Sequence, residues 1–465
     1  AAVVFNANFF FLTDYEEESH LENYVKPGKS VDNMSRTALK YLDRVDDDAD
    51  GQENGFYRST NLKTYGDVRS TSLIYGYHDI STFTSTLNGA IVDYNRAMGN
   101  SDWTIVSIYS YNARAYMHTL ASVRYLGTAS DVKISVPYGY KKVFDREGRK
   151  RTYEIYENQY ALPLGYTYDT VTSESDAEDL SAAHKQELTM LSAIVEDDAV
   201  EKNANLTTAD PDSLPLTAEK LPITKIKPGK GVTVKDGEII IPEGGGIVNF
   251  TFEGRPNSET YLSLRGDLYA PKDASEHLLK TQVKAENMSY EHRFQIDSYA
   301  TGQEEYLFNL GYNEDALTKC RLKFKGGGTI RFDELCIYTQ SMETYPERVA
   351  ALRENSLENV KTDTNTVTGD ITVDSDKMLV ITLPYQRGWT AWVDGEEVDI
   401  QKVNYQYMGL NLSAGEHSIR LHYQQPGLKY VLPVTASGAG VFVCIILFNF
   451  VRKRRGSSRR KGIQR

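Results

Sequence analysis

The sequence predicts an α+β protein: a mixed α/β region, then two antiparallel β-sandwich-like modules, then one C-terminal transmembrane helix. Three observations support this prediction. Tyrosine occurs 32 times, against 16 Phe and 3 Trp, and such a composition favours half-buried strand surfaces. Short alternating segments separated by Gly-rich turns fill residues 230–345, which is typical of an antiparallel sandwich. The uncharged segment Tyr430–Val451 is long enough to cross a bilayer.

Length and charge narrow the class of protein. The chain has 465 residues, which corresponds to about three domains. Apolar residues make up 40% and charged residues 25%, so global disorder is excluded, and the mean hydropathy of −0.47 excludes a polytopic membrane protein for these residues. The net charge is −12, although residues 452–465 carry eight Lys and Arg and no acid. The rest is therefore strongly acidic and would repel a phosphodiester backbone, so we expect no nucleic-acid partner.

The uncharged segment before the basic tail is interpreted as a membrane span. Tyr430–Val451 would extend about 33 Å as a helix, and the hydrocarbon core of a bilayer is ~30 Å thick. A cluster of Lys and Arg follows directly, as the positive-inside rule requires of a cytoplasmic flank. We therefore predict a transmembrane helix over 428–451, a cytoplasmic tail over 452–465, and a cell-membrane protein with its bulk outside. The alternative is a buried core helix.

The start of the chain is apolar. Residues 1–12 are too short to span a bilayer, and no basic segment precedes them as a signal peptide would require. The simplest interpretation is the outer end of a truncated transmembrane helix, which predicts a missing N-terminal transmembrane half as a partner. A mature N-terminal strand is the alternative.

Composition shifts predict the boundaries between these ends. Residues 13–202 read as a mixed α+β extracytoplasmic domain, in which 174–200 has the apolar spacing of one long helix. Residues 203–229 contain four Pro and are predicted to be a connector. A β-sandwich domain is predicted over 230–345 and a membrane-proximal β module over 346–427.

Cysteine usage does not indicate a disulfide scaffold. Cys444 lies inside the predicted span. Cys320 and Cys336 flank an apparent hairpin whose turn is Gly326–Gly328, and pairing around that turn would bring them close. A disulfide between them is one expectation, and two free thiols are the other.

One acidic segment resembles the start of a calcium-binding loop. Asp46, Asp48, Asp50 and Gly51 match the first positions of an EF-hand loop, but the twelfth position, which needs a bidentate Glu, is Tyr57. A solvated acidic loop is the better interpretation, and a weak calcium site is the alternative. We expect no metal site and no cofactor.

Other catalytic signatures are lacking in the sequence. His417 and His422 are five apart on a predicted strand and so point to opposite faces. The glycine triplets Gly244–Gly246 and Gly326–Gly328 lie between predicted strands and read as turns rather than phosphate loops. No nucleophile-elbow motif is present, although a Ser–His–Asp arrangement assembled in space stays open.

Two tryptophans are the candidate binding residues. Trp389 and Trp392 lie three apart in a predicted strand of the membrane-proximal module. Aromatic faces can stack on sugar rings, but an odd spacing places the two side chains on opposite faces of a strand. We expect one to pack in the core and at most one to serve as a sugar platform.

Four segments of the sequence carry a family resemblance. The most specific is 383–430, with a Gly-Trp strand, a Val-Asp-Gly turn, a Met-Gly-Leu strand and an Arg-Leu-His-Tyr strand in order before the membrane span. The segments 158–169, 182–195 and 75–99 agree with it. Together they make the chain similar to the bacterial YfhO family of membrane proteins over residues 15–455.

The resemblance implies a function. YfhO-like proteins are large, multi-spanning and similar to GT-C glycosyltransferases, which transfer sugar from a lipid-linked donor to wall polymers such as lipoteichoic acid. The catalytic acidic residue of such enzymes lies in an early loop, so no residue of this chain inherits it, and no catalytic residue is assigned. We expect an extracytoplasmic part that positions a lipid-linked sugar or wall polymer. The alternative is a single-pass carbohydrate-binding surface protein without catalysis.

Overall fold

The computed structural model describes residues 37–46, 55–62, 71–84, 86–129, 135–148, 151–266, 278–286, 288–295 and 301–461. Residues 1–12, interpreted above as the end of a transmembrane helix, lie outside the described residues. Most of the acidic segment compared with an EF-hand also lies outside them.

The first region combines short helices with a small mixed sheet. Its sheet has the order β1-β5-β7-β6, in which β1 runs parallel to β5 and the other pairs are antiparallel. The strands of this region are β1 (Arg58–Asn61), β2 (Thr82–Phe83), β3 (Trp103–Thr104), β4 (Ser107–Ile108), β5 (Val123–Ala129), β6 (Tyr140–Glu147), β7 (Thr152–Asn158), β8 (Gly165–Tyr168), β9 (Thr170–Ser173), β10 (Ala193–Val195) and β11 (Thr207–Thr208). The helices are α1 (Asp43–Asp46), α2 (Ser72–Tyr75), α3 (Gly89–Ala97), α4 (Ala115–Leu120), α5 (Glu174–Ala177) and α6 (Ala182–Leu188).

A β-sandwich follows. Two antiparallel sheets, ordered β12-β23-β17-β20 and β13-β16-β21-β18-β19, enclose a core of alternating apolar residues. Its strands are β12 (Glu219–Leu221), β13 (Ile223–Pro228), β14 (Thr233–Lys235), β15 (Glu238–Ile241), β16 (Gly246–Phe252), β17 (Ser258–Arg265), β18 (Leu278–Lys284), β19 (Ser289–Gln295), β20 (Glu305–Asn313), β21 (Lys319–Lys325), β22 (Gly328–Arg331) and β23 (Glu334–Ser341). The two glycine triplets separate β15 from β16 and β21 from β22, so they are turns as predicted.

The last region carries the connection to the membrane. It contains α7 (Tyr345–Arg353), β24 (Glu358–Thr362), β25 (Thr366–Val373), β26 (Lys377–Pro384), β27 (Trp389–Val393), β28 (Glu396–Val398), β29 (Gln401–Val403), β30 (Tyr407–Leu412), β31 (Gly415–Tyr423) and α8 (Leu428–Lys461). One five-stranded sheet has the order β24-β25-β31-β27-β28. A seven-stranded sheet, β11-β9-β10-β29-β30-β26-β8, joins strands of the first and last regions. These two regions are therefore packed as one body around shared strands.

The long helix expected over 174–200 was a wrong prediction. The Ser173 side chain accepts a hydrogen bond from Asp176 N, and Ser181 accepts one from His184 N, so each serine starts a separate short helix. Farther on, Ile194 and Val195 lie in β10. Both residues pair with β9, and Val195 also pairs with β29. The β-branched residues are stabilised by sheet pairing, which here overrides the helical spacing of the sequence.

The possible disulfide is also contradicted. Cys320 and Cys336 are both free and buried. They do not flank a hairpin, because β21 pairs with β16 and β18 in one sheet while β23 pairs with β12 and β17 in the other. Cys320 faces the sandwich core, whereas Cys336 belongs to a separate apolar cluster with Tyr261 and Tyr338. The glycine turn leads into β22, not directly back along β21.

A buried arginine ties the first region to the sandwich. Arg114 is fully buried, and its guanidinium donates to the carbonyls of Gly99 and Leu307, each at 3.0 Å, as well as to Met98. Next to it, the Glu259 carboxylate accepts hydrogen bonds from Ala115 N and, at 2.7 Å, from the Tyr261 hydroxyl. Burial raises the pKa of Glu259 to about 7.

Helix α8 extends away from the rest of the chain. Its segment Pro433–Arg452 has a mean hydropathy of 2.1 and none of it is buried against other parts of the protein. The alternative of a buried core helix is therefore excluded. An apolar helix of this length, exposed throughout, is suited to cross a bilayer.

Candidate functional site

Aromatic residues gather at the end of the five-stranded sheet that adjoins α8. Strand β31 ends at Tyr423, only five residues before α8 begins at Leu428. In β27, Trp389 lies directly opposite Tyr423, and the strand then runs away from the helix, so Trp392 pairs with Arg420. The strand register therefore places Trp389 at the membrane end of the sheet.

Trp389 packs on the inner face of this sheet. Its ring centroid lies 5.3 Å from that of Tyr423, with an angle of 53° between the ring planes. The side chain is half-buried and packs against the apolar cluster that includes Ala391 and Leu421. Part of the indole thus contributes to the core while part of it remains accessible.

Trp392 occupies the outer face. The guanidinium of Arg420 lies 5.1 Å from the centroid of its ring, within the range of a cation–π contact. The prediction that the two tryptophans point to opposite faces is confirmed. Both are half-buried: Trp389 lies at the end of the sheet, and the guanidinium of Arg420 lies over the Trp392 ring.

The glycine before Trp389 fixes the junction with the membrane helix. Gly388 has a φ of +108°, and its carbonyl accepts a hydrogen bond of 2.8 Å from Gln424 N. A Cβ atom at this position would lie 2.4 Å from the carbonyl oxygen of Gln424. Only glycine fits here, since any side chain would separate the Trp389 strand from the segment that enters α8.

The other end of β27 is a tight hairpin. Asp394 and Gly395 both have positive φ, as a two-residue type I′ turn requires, and this confirms the predicted Val-Asp-Gly turn. His417 Nδ1 lies 2.8 Å from Asp394 Oδ2, and this contact fixes the turn. His422 contacts Thr366 on the opposite face of the sheet.

Among the residues that the structure describes, no group of three or more His, Cys, Asp or Glu side chains is arranged to hold a metal ion.

A second aromatic feature lies near the same end of the sheet. It is a cleft of about 350 Å³, which we call the tyrosine cleft. Its walls come from α1 and the segment after it, from α2 and the segment after it, and from β24. The lining residues are Leu42, Asp43, Gly55, Phe56, Tyr57, Tyr75, Gly76, Tyr77, His78, Val360 and Thr362.

The strand pairing fixes where the tyrosine cleft lies. Thr362, at its rim, pairs with Val367 of β25, and Val367 pairs with Leu421 of β31. Leu421 is two residues before Tyr423, so the cleft lies toward the membrane end of the sheet. Strand pairs are ~4.8 Å apart, which places the cleft rim two strands from the strand that enters α8.

One wall of the cleft is a stack of three side chains. The His78 ring lies 4.6 Å from the Phe56 ring at 32°, and the Arg58 guanidinium lies 4.8 Å from the centroid of the same phenyl ring. Arg58 is buried and donates to Ala121 O at 2.9 Å and to Thr382 O at 2.7 Å. These hydrogen bonds hold the guanidinium behind the wall, so it stiffens Phe56 rather than facing the cleft.

The polar groups of the cleft are mostly neutral. Partial burial and the nearby Arg58 lower the pKa of His78, which keeps its imidazole uncharged at neutral pH. The Tyr77 hydroxyl contacts the Thr71 hydroxyl at 2.6 Å and accepts a hydrogen bond from the Asn61 amide at 3.1 Å. Burial raises the pKa of Tyr77. Within the described part of the lining, the formal charge is carried by the exposed Asp43.

Sequence reasoning did not identify the tyrosine cleft. The segment Tyr75–His78 (YGYH) lies in one of the segments that carry the family resemblance. Its density of aromatic side chains is the one feature of the sequence that points to an aromatic site here. Phe56 and Val360, however, are about three hundred residues apart in the chain. Only the tertiary structure brings them together.

A separate cavity of about 380 Å³ opens in the sandwich, at the ends of β16, β18 and β21. Its one aromatic lining residue, Phe250, is fully buried in the core. The rest of the lining is mainly aliphatic chain and charged ends, such as Lys284 and Arg321. The described lining of this cavity therefore offers no accessible aromatic face, in contrast to the tyrosine cleft.

The fold and the exposed apolar helix define a membrane protein with a large β-rich region outside the bilayer. The profile of the family described as "Bacterial membrane protein YfhO" matches residues 2–435, and the chain belongs to this family. The uncharacterized protein YfhO of Bacillus subtilis (strain 168) is 26% identical over 403 residues, which is 83% of this chain and 42% of that protein. The chain thus spans about two fifths of this relative's length. The predicted family resemblance is confirmed.

Solved structures show only weak likeness. The arabinofuranosyltransferase AftD from Mycobacteria is 10% identical with a TM-score of 0.22, over 83% of this chain and 48% of that one. A truncated AlyQ with CBM32 and alginate lyase domains is 9% identical with a TM-score of 0.19, over 48% of this chain and 85% of that one. At these TM-scores neither likeness establishes a shared fold.

Proposed function

We propose that this chain is the extracytoplasmic part of a membrane glycosyltransferase and that it positions a glycan or acceptor beside catalytic spans supplied by the rest of the protein. Membership of the YfhO family supports this proposal, because the family resemblance implies a similarity to GT-C glycosyltransferases. The observation that carries it is the pairing of Trp389 with Tyr423, five residues before the membrane helix begins. A partly accessible aromatic pair at this level can meet the sugar of a lipid-linked substrate. Lipoteichoic acid is the wall polymer that we propose as acceptor.

The proposal requires one orientation in the membrane. The basic residues that follow α8's apolar segment favour the cytoplasm, which places the β-rich bulk on the outside. Protease added to intact cells should remove the chain up to about Tyr430 and spare an epitope tag on the tail. Protection of the β-rich region in cells that are shown to be intact would contradict this orientation.

The functional test uses the full-length gene. A deletion strain complemented with wild type should restore glycosylation of the wall polymer, measured as sugar per phosphate in extracted lipoteichoic acid. The Trp389→Ala variant should restore it at least tenfold less well at equal protein abundance. Ile240→Ala, which alters an exposed apolar residue in β15 of the sandwich, should match wild type. Unchanged glycosylation in the deletion strain would refute the proposal. A coding sequence that starts with a signal peptide just before Ala1 would instead support a single-pass carbohydrate-binding protein.

A further inference from the structure

We infer that the tyrosine cleft is a binding site for an uncharged glycan at the membrane surface, and that it takes a mono- or disaccharide unit rather than a phosphodiester chain. The inference rests on the proposed function, since it names the substrate class that the extracytoplasmic part would hold. It concerns a site separate from the Trp389 strand. The argument uses the cleft's walls, its charge and its place in the fold.

The walls provide the surfaces that sugars need. Tyr75 is half-buried, and His78 is exposed while its ring stacks on Phe56 at 4.6 Å, so the imidazole is held in a fixed plane. Rigid, flat side chains of this kind offer apolar contact area at low entropic cost, together with polar ends. The volume of about 350 Å³ lies at the small end of ligand sites, which are roughly 300–1,000 Å³. It therefore suits a short glycan unit.

The charge of the lining decides between glycan and phosphate. Among the residues that the structure describes, the cleft lining carries one carboxylate, Asp43, and no Lys or Arg. The nearby Arg58 is occupied by Ala121 and Thr382 behind the Phe56 wall. A phosphodiester is held by cations or by clustered N–H donors, and a carboxylate repels it. The same carboxylate can accept hydrogen bonds from the hydroxyls of a neutral sugar.

The position of the cleft fits a membrane-linked substrate. Its rim residue Thr362 is joined through Val367 to Leu421, seven residues before α8 begins. The site therefore lies on the membrane side of the extracytoplasmic region. The glycan could reach it from the headgroup of a glycolipid or from a soluble wall fragment, and these two sources share the same sugar chemistry.

The test measures glycan binding by the full 465-residue chain in lipid nanodiscs free of sugar detergents. Maltose, cellobiose and chitobiose serve as neutral probes, α-glycerophosphate as the anionic probe, and a glycolipid with a disaccharide headgroup as the membrane-linked source. We expect at least one neutral disaccharide to bind with millimolar or better affinity. Tyr75→Ala and His78→Ala should each weaken it at least tenfold, whereas Tyr75→Phe should stay within threefold. Preference for the glycolipid over the free disaccharide would assign the membrane source.

Controls separate binding from folding and from the proposed function. Ile240→Ala removes an exposed apolar side chain in β15 of the sandwich, outside the cleft, and should leave binding unchanged. Thermal unfolding must show that each cleft variant is folded. Failure of every neutral probe to bind, or salt-sensitive binding of α-glycerophosphate instead, would overturn the inference. Either result would leave the glycosyltransferase proposal standing, because that proposal is tested by wall glycosylation in the complemented deletion strain.

Discussion

Arg348 of α7 forms a buried ion pair with Glu187 of α6, and the two side chains are 6% and 0% exposed. The same carboxylate accepts hydrogen bonds of 2.7 Å from Thr217 N and 2.8 Å from Ala218 N. One carboxylate thus joins two helices to the segment predicted as a connector. This arrangement makes residues 215–218 a fixed part of the packing, and β12 and β13 follow directly as strands of the sandwich.

Removing one partner of this pair should be costly. Arg348→Met leaves a buried carboxylate without its cation, and we expect a loss of about 3–5 kcal/mol in unfolding free energy. The matched control is Arg255→Met, because Arg255 and Glu219 form an exposed pair at 2.6 Å with side chains 45% and 48% exposed. That variant should lose less than ~1 kcal/mol. Chemical denaturation in detergent measures both, and equal losses would contradict the buried role of Arg348.

Asp79 should make stability depend on pH. Burial raises the pKa of its carboxyl to about 7. Oδ1 accepts a hydrogen bond from Ser81 N at 2.8 Å, whereas Oδ2 has no hydrogen-bond partner among the described residues. An unfolded Asp titrates near ~3.9, so the folded state holds the proton more tightly. Stability is therefore lost as the pH rises from about 4 to about 7 and is constant above that range.

The Asp79→Asn variant removes that loss. It keeps Oδ1 for Ser81 N and cannot ionise, so its advantage over wild type should grow by about 1–3 kcal/mol between pH 5 and pH 8. Thermal unfolding at the two pH values measures the difference. Asp236→Asn, at a side chain that is 79% exposed, is the control and should show no such growth. A constant difference between Asp79→Asn and wild type would show that Asp79 is ionised throughout.

Some features were predictable because they depend on local sequence. The span ending in a basic cluster, the Asp394–Gly395 turn and the opposed faces of Trp389 and Trp392 each follow from spacing or turn chemistry within a few residues. The structure confirms the turn and the opposed faces, and it shows an exposed apolar helix where the span was predicted. The family resemblance succeeded for the same reason, since it rested on short ordered blocks.

Other features depended on distant partners and were missed. Ile194 looked helical by spacing, yet the pairing of β10 with β9 and β29 makes it part of a strand. Cys320 and Cys336 looked like hairpin partners, yet each strand pairs elsewhere. The tyrosine cleft joins α1, α2 and β24, whose sequence positions give no sign of their contact. The domain boundaries drawn from composition stay predictions, although the seven-stranded sheet combines strands on both sides of the sandwich.

The thiols provide a direct chemical test. Cys320 and Cys336 are free and buried, and burial raises the pKa of each thiol, so both should be unreactive in the folded protein. Alkylation after unfolding without reductant should modify all 3 cysteines of the chain. Alkylation of the folded protein at pH 8 should leave Cys320 and Cys336 unmodified for at least tenfold longer than in the unfolded protein. A mass showing only one alkylated cysteine after unfolding would indicate a disulfide and contradict the separate sheets.

The two tryptophans should differ in what they contribute. Trp389 packs on Tyr423 and on the apolar cluster, so Trp389→Ala should cost about 2–3 kcal/mol, less than the ~3–5 kcal/mol of a fully buried tryptophan. Trp392→Ala loses mainly the contact with Arg420 at 5.1 Å and should cost about 1 kcal/mol or less. Unfolding of the purified chain measures these losses, and Trp389→Phe should recover most of the stability because it restores an aromatic contact with Tyr423.

The same variants in the full-length protein separate packing from sugar contact. If the accessible part of Trp389 stacks on glycan, Trp389→Phe should restore stability while glycosylation remains reduced at normal abundance, because the smaller ring offers less stacking surface. If Trp392 is the platform instead, Trp392→Ala should reduce glycosylation at nearly unchanged stability. Glycosylation that simply follows protein abundance in every variant would show that both tryptophans are structural, and the glycan would then have to be held elsewhere, with the tyrosine cleft as the remaining aromatic candidate among the residues described.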